Sequence, residues 1–293
     1  MFSSSRLRKG STLLLILGLG ILCIPVKADE TVQEKTYLFG IVPQQSASRL
    51  VKMWFPFINQ LSLETGLKIS FATTKDIPTF EVCLADGAFE FSYMNPYHYT
   101  VFNELSGYQA FAHQADKKLK GVIVSKKDSS YNTLEDLDGK NIAFPSPAAF
   151  GASVLPQAEM RQKGIRFNPH YVKSHDSVYR SVAGGFHPAG GGVGRTFNAT
   201  ASDVKEDLRI IYKTKGYTPH AFATAPHVPA EHVLKVQNTM MKIAKENPEL
   251  VKAIGMSGFK KAQNTDWDDV RALNLKNDVT GIIREGQIVC RLN

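Results

Sequence analysis

Cysteine is scarce, three residues in 293, and no two stand as Cys-x-x-Cys. That spacing excludes a zinc ribbon and a thioredoxin-type redox site. A second long apolar run is also missing: outside the N-terminus nothing is apolar enough to enter a bilayer, so a polytopic membrane protein is excluded. No Gly-x-Ser-x-Gly, His-Glu-x-x-His, Walker A or strand-linked Gly-x-Gly-x-x-Gly occurs, which leaves an enzyme without its usual signatures and a dinucleotide without its cradle. A His pair such as His227-x4-His232 does not by itself make a metal site. Lys and Arg nowhere interleave with aromatics in a run, so a nucleic-acid partner is not expected. Fixed-period repeats are absent too. Glycine and proline total 36 residues, an ordinary share beside 43% hydrophobic and 21% charged residues. Collagen-like and disordered chains are thereby excluded.

What is present begins with a leader. Arg6, Arg8 and Lys9 precede an apolar stretch from Leu13 to Ile24, followed by Pro25-Val26-Lys27-Ala28. A basic region, a short apolar core and a small residue at the cut fit a secretory signal spanning 1–28, cleaved after Ala28. An uncleaved anchor and lipidation at Cys23 are the alternatives, the bulky Leu22 before Cys23 speaking against the second. The leader holds four basic and no acidic residues. Of 35 Lys and Arg, 31 then remain against 27 Asp and Glu, and the net charge falls from +8 to +4. Such a mildly positive surface suits an anionic small ligand. Cys83 and Cys290 could pair in an oxidising compartment or stay as two thiols.

Beyond the leader, strand-like and helical runs alternate. Strands are expected at Tyr37–Val42, Leu67–Ala72 and Phe89–Met94, and helices at Ala47–Glu64, Ile77–Asp86 and from Pro96 to Leu105. Leu50, Met53, Trp54, Phe57, Ile58 and Leu61 recur at helical spacing in the first helix. The βαβαβ order implies parallel pairing with right-handed crossovers. A second unit opens near Leu119 with strands at Gly121–Val124, Asn141–Phe144, Tyr171–Lys173, Ala189–Val193 and Arg209–Tyr212, and helices at Ala152–Lys163 and Asp176–Gly184. Helices at Ala230–Glu246, Pro248–Gly255 and Asp266–Leu275 close the chain. Linking segments at Gln114–Lys118 and Tyr217–Ala223 suggest two crossings between lobes, hence a hinged clamshell whose last helices complete the first lobe.

Chemistry is expected where strands end and helices begin: Pro43–Ser46, Asn95–Tyr97, Ser146–Ser153 and Ser174–Ser177. Each helix start offers free backbone N–H groups and partial positive charge, so several converging starts cradle an anion. His175, at such a start, is expected to be neutral; the cluster around it could equally be a helix cap made by Ser174 or Asp176. The small residues Ala189–Gly194 permit close approach. Arg195, just beyond, could fork onto an oxyanion or form a surface ion pair.

Gly40-Ile41-Val42-Pro43, Tyr93-Met94-Asn95-Pro96-Tyr97, Leu134-Glu135-Asp136-Leu137-Asp138-Gly139-Lys140 with Ile142-Ala143-Phe144, Ser146-Pro147-Ala148-Ala149 and Ser174-His175-Asp176-Ser177 together resemble the PhnD-like phosphate/phosphite/phosphonate solute-binding proteins of ABC transporters. The resemblance spans about 37–225. It implies a two-lobed α/β clamshell of the type II periplasmic binding protein fold, each lobe a mixed, mostly parallel sheet flanked by helices, with residues 29–116 plus 224–293 in lobe 1 and 117–223 in lobe 2. It implies a non-enzymatic, cofactor-free and metal-free periplasmic receptor for a small oxyanion that serves an inner-membrane ABC permease. The alternative is a sensing module for a membrane sensor kinase or chemoreceptor. The implied ligand-binding residues are Gln44, Tyr93, Asn95, Tyr97, Ser146, Ala149, Phe150, Gly151, His175 and Arg195. Two departures from the family stand out. Family members usually carry hydroxyls where this chain has Ala149-Phe150-Gly151-Ala152, and a tyrosine near Ile77 is replaced. In aminophosphonate binders a carboxylate for the ligand ammonium lies about 20 residues beyond the His, a place that falls on Arg195. An ammonium ligand would meet like charge there, at a cost of about 1 kcal/mol or more.

Overall fold

The computed structural model describes residues 35–275, 280–282 and 289–292. The leader at 1–28, its cut after Ala28 and Cys23 fall outside them, as does the start of the first lobe at 29. Among the described residues no helix is long and apolar enough to cross a membrane.

The chain opens as β1 (Tyr37–Ile41), α1 (Ala47–Thr65), β2 (Ile69–Ala72), α2 (Ile77–Ala85), β3 (Phe91–Met94) and α3 (Pro96–Ser106), followed by β4 (Gln109–Gln114). It continues with β5 (Gly121–Lys126), β6 (Lys140–Phe144), a π-helical turn at Phe150–Val154, α4 (Leu155–Gln162), β7 (Phe167–Tyr171), α5 (His175–Ala183) and β8 (Ala189–Val193). Short helices α6 (Gly194–Asn198) and α7 (Ser202–Lys205) lead to β9 (Leu208–Lys213) and β10 (Ala221–Thr224). The end comprises α8 (Ala230–Glu246), α9 (Pro248–Ala253), β11 (Phe259–Lys261) and α10 (Asp268–Arg271).

Two sheets result. The first has the order β11-β4-β10-β3-β1-β2 and the second β7-β6-β8-β5-β9. β1 pairs in parallel with β2 and β3, whereas β10 runs antiparallel to both β3 and β4, and β11 antiparallel to β4. Strands β1 to β4 thus share a direction that β10 and β11 oppose. In the second sheet β6, β7 and β8 are parallel, and β5 alone runs against its neighbours. The fold is mixed α/β, with most strands of each sheet pointing one way and their carboxyl ends feeding the loops that matter.

Several boundaries differ from the periodicity reading. The strand expected at Tyr171–Lys173 lies instead at Phe167–Tyr171, in register with β6 from Lys140↔Phe167 to Phe144↔Tyr171. Helix 152–163 begins as the π-turn, and only from Leu155 is it α-helical. Both linking segments border or contain strand: β4 ends at Gln114 and β10 begins at Ala221, paired through Ala221↔His113.

Burial explains the first sheet. On α1, Leu50, Trp54, Phe57, Ile58 and Leu61 face inward, each such side chain contributing about 1.5–3 kcal/mol by leaving water. Gly66 in the left-handed conformation ends the helix. Trp54 packs 4.9 Å from Tyr93, and Phe39, Phe91, Phe111 and Phe222 complete an aromatic layer. The same apolar cluster continues without a break into the second-sheet half through Ala148, Phe150, Leu155 and Val193. Cys83, buried on α2, forms a disulfide with Cys290.

Candidate functional site

Three loops of the second-sheet half meet two of the first. The β1–α1 loop carries Gln44 and Ser46, and the start of α3 is capped by Asn95, whose Oδ1 accepts from the His98 N–H at 2.8 Å. Opposite stand the π-turn, the start of α6 with Arg195, and the start of α5, where the Ser174 hydroxyl caps the Ser177 N–H at 3.1 Å. Of the two cap candidates, Ser174 is therefore the cap, and Asp176 is free for another role.

That role is to lock the halves together. The His175 N–H donates to the Gln44 carbonyl at 2.9 Å. Asn95 Nδ2 donates to the Ala148 carbonyl at 3.1 Å. Asp176 accepts from the Ser46 N–H at 3.2 Å and pairs with Arg49 at 3.5 Å, while Arg49 also donates to the Ala199 carbonyl at 2.6 Å. The polar groups that would hold an oxyanion are here occupied by the facing half.

Between them remains a cavity of only about 10 Å³, lined by Gln44, Asn95, Ala149, Phe150, Gly151 and His175 together with Val42, Ile77, Ala152, Val193 and His220. A space of that size holds one water at most. Phe150 is the reason: its ring is fully buried and meets Tyr217 edge-on at 5.6 Å. The glycines around the π-turn let it sink into the second half. A Cβ on Gly191 would collide with the Ala152 carbonyl and one on Gly121 with the Gly151 carbonyl. The close approach expected of Ala189–Gly194 is thus made by the chain itself.

Arg195, at the start of α6, donates to Gln44 Oε1 and lies 5.5 Å above the Tyr93 ring. Among the described residues no carboxylate lies within ion-pair reach of it. Of the two readings for Arg195, the structure therefore disfavours a surface ion pair. Its charge also adds to the effect of burial on the neighbouring rings. Burial, and then the Arg195 cation, pushes His175 down to about 3, so this ring is neutral as expected of it. Its Nδ1 meets the Thr196 hydroxyl at 2.9 Å, which in turn meets the Tyr179 hydroxyl at 2.8 Å. His220 is held well below the ordinary histidine value by burial and, next, by Arg195. It stacks on Tyr93 at 5.0 Å and reaches Gln44 Nε2 at 3.1 Å.

A larger cavity of about 310 Å³ adjoins the small one across Val193 and His220, which line both. Tyr93 and Arg195 border it, with Lys117, Lys118, Lys120 and Lys213. Tyr97 and Ser146 line neither space. The Tyr97 hydroxyl meets Thr280 Oγ1 at 2.8 Å, and Ser146 Oγ is buried without a hydrogen-bond partner. The structure therefore brings eight of the ten sequence-selected residues to the two cavities and places Tyr97 and Ser146 away from them. His220 was missed because it lies in a segment read as a crossover. Its partner Gln44 is 176 residues away, so no local pattern announces it. Among the described residues no group of three or more His, Cys, Asp or Glu could hold a metal ion, and His232 instead meets the Tyr37 hydroxyl at 2.7 Å.

Comparison with known proteins agrees with this architecture. The family model described as ABC transporter, phosphonate, periplasmic substrate-binding protein matches residues 39–267. The phosphate-import protein PhnD of Mycolicibacterium smegmatis is 21% identical over 261 residues, 81% of this chain and 79% of that protein. A binding-protein component of an ABC phosphonate transporter from Pseudomonas aeruginosa superposes with a TM-score of 0.75 at 14% identity, covering 82% of this chain and 86% of that one. PhnD1 from Prochlorococcus marinus, solved with methylphosphonate, superposes with a TM-score of 0.75 at 16% identity over 82% of this chain and 99% of the other.

Proposed function

The chain belongs to the phosphonate-type periplasmic substrate-binding proteins of ABC transporters, and from that membership we propose that it captures a phosphonate- or phosphate-like oxyanion between two lobes and presents it to an inner-membrane permease. Lobe 1 comprises 29–116 with 224–293 and lobe 2 comprises 117–223. The leader is removed after Ala28, and the mature protein binds without catalysing. A sensor-kinase partner draws no support from the comparisons.

One observation carries the ligand class: Arg195, without a carboxylate partner among the described residues, stands beside neutral His175 and His220 at the meeting of helix starts from both sheets. A cation that no acid compensates, in a partly buried place, is stabilised by an anion. Relatives named for phosphate import and solved with methylphosphonate are consistent with this choice. Because the amides are occupied by protein partners, the ligand enters when the halves separate and competes with those contacts.

The test is a thermal-shift screen of the exported protein against methylphosphonate, phosphite, phosphate, a sulfonate and a carboxylate. Ligand at 100 times its Kd adds about 2.7 kcal/mol of stability. A hit confined to the phosphorus oxyanions, weakened by about 2–4 kcal/mol in Arg195→Ala, supports the reading. No shift with any anion refutes it.

A further inference from the structure

Resting on the receptor reading above, we propose that the ligand carries two anionic ends: an organophosphonate or organophosphate whose head meets Arg195 and whose distal carboxylate or phosphate meets Lys120 and Lys213 in the adjoining cavity.

Space comes first. The cradle between the helix starts leaves about 10 Å³, whereas the cavity beyond Val193 and His220 offers about 310 Å³, at the lower edge of the roughly 300–1,000 Å³ usual for small-molecule sites. A ligand with a body thus extends away from Phe150.

Charge decides the chemistry. Five cationic residues and no acidic one line this cavity. Lys118 is partly neutralised by Asp269 at 3.6 Å. Among the described residues Lys117, Lys120 and Lys213 form no ion pair, nor does Arg195. A ligand with a single anionic head at Arg195 leaves the lysine rim unmatched. A second negative group at the other end removes that imbalance, and the penalty for placing like charges around one cavity becomes a preference for the ligand with two anionic ends.

Apolar Leu119, Val122, Val193, Ile210 and Pro219 line the cavity beside polar Gln114 and Asn198, and the Tyr93–His220 stack lies with Arg195. That apolar share of the lining suits a short hydrocarbon spacer between two anions. The rim has a structural source: Lys213 stands opposite Val122 in the β5–β9 ladder, and Lys120 immediately precedes β5, so both project from one strand pair.

Calorimetric titration of the exported protein with methylphosphonate, propylphosphonate and 3-phosphonopropionate tests this. The expected result is 3-phosphonopropionate binding at least tenfold more tightly than propylphosphonate. That preference falls below threefold in the Lys120→Glu/Lys213→Glu variant and persists in Lys235→Glu/Lys245→Glu, a change of the same charge at exposed positions on α8. Lys120 and Lys213 are exposed as well, so their double variant folds, and its melting temperature checks this. Equal affinities for the two propyl compounds, or a preference that survives in that variant, overturn the proposal and leave the receptor reading standing. Failure of all three phosphonates to bind overturns the proposal, and failure of phosphate and phosphite as well overturns the receptor reading with it.

Discussion

The backbone N–H of His175 donates to the backbone carbonyl of Gln44, 2.9 Å away and 131 residues earlier, joining the first turn of α5 to the loop after β1. Three side-chain links flank it, Asn95 to Ala148 and Arg49 to Asp176 and Ala199. The two halves are thus held together by the protein's own polar groups.

Loosening that lock expands the ligand-free protein. Arg49→Ala combined with Asp176→Ala removes the part-buried pair and the bond to Ser46. Small-angle scattering is expected to show a larger radius of gyration for the variant than for the parent without ligand, and equal radii at saturation. Identical ligand-free radii would mean that the apolar contact alone keeps the halves together.

Acid weakens the fold. His175 is pushed down to about 3 and His220 well below the usual histidine value, both chiefly by burial. In the unfolded chain the same rings bind protons below about 6.5. For His175 the unfolded state therefore holds the extra proton between that value and about 3, His220 adds to the same trend, and stability falls as pH falls. The contribution is complete above pH 6.5. At pH 5 the His175 ring has lost roughly 2 kcal/mol, and His220 acts in the same direction. Denaturant titrations at pH 7 and pH 5 should differ accordingly, and His175→Asn should flatten the dependence. A slope unchanged in that variant would assign the acid sensitivity elsewhere.

Removing the plug costs stability. Phe150 is fully buried, so Phe150→Ala should destabilise by about 3–5 kcal/mol, read as a lower denaturation midpoint with an unchanged slope. A loss under 1 kcal/mol would show that the halves close into the vacated space.

Reducing the Cys83–Cys290 bond has a comparable effect. The bridge spans 207 residues and ties the chain end to a buried position on α2. Reduction, or Cys83→Ser, is expected to lower stability by roughly 2–5 kcal/mol, measured by denaturation with and without dithiothreitol. No difference would mean that the C-terminal segment contributes nothing once released.

The opening β1 to α3 run is legible residue by residue because its signals are local. Leu50, Trp54, Phe57 and Leu61 recur at helical spacing, Gly66, Gly87 and Gly107 adopt the left-handed conformation where helices end, and Pro96 begins α3. Strands β4 and β10 were harder. Ala110, Ala112, Ala221 and Ala223 carry little hydrophobic signal, and these strands exist because each completes the other's ladder more than 100 residues away. The π-turn shares its composition with an ordinary helix start and is set by the glycines it packs against. At the site, Gln44, Asn95, His175 and Arg195 could be selected as helix-start residues. Their mutual satisfaction could not, since it depends on how two sheets distant in sequence face each other.

Strand β8 closes one route to change. A side-chain carbon on Gly190 would strike Val178, on Gly191 the Ala152 carbonyl, and on Gly192 the Tyr179 hydroxyl. Gly191, which faces backbone, is therefore barred to all nineteen other amino acids, and Gly190 and Gly192 accept one only if Val178 or Tyr179 gives way. A descendant of this protein that acquires a new nutrient is thus steered towards altering neighbouring strands and turns, with this bare ribbon inherited largely as it stands.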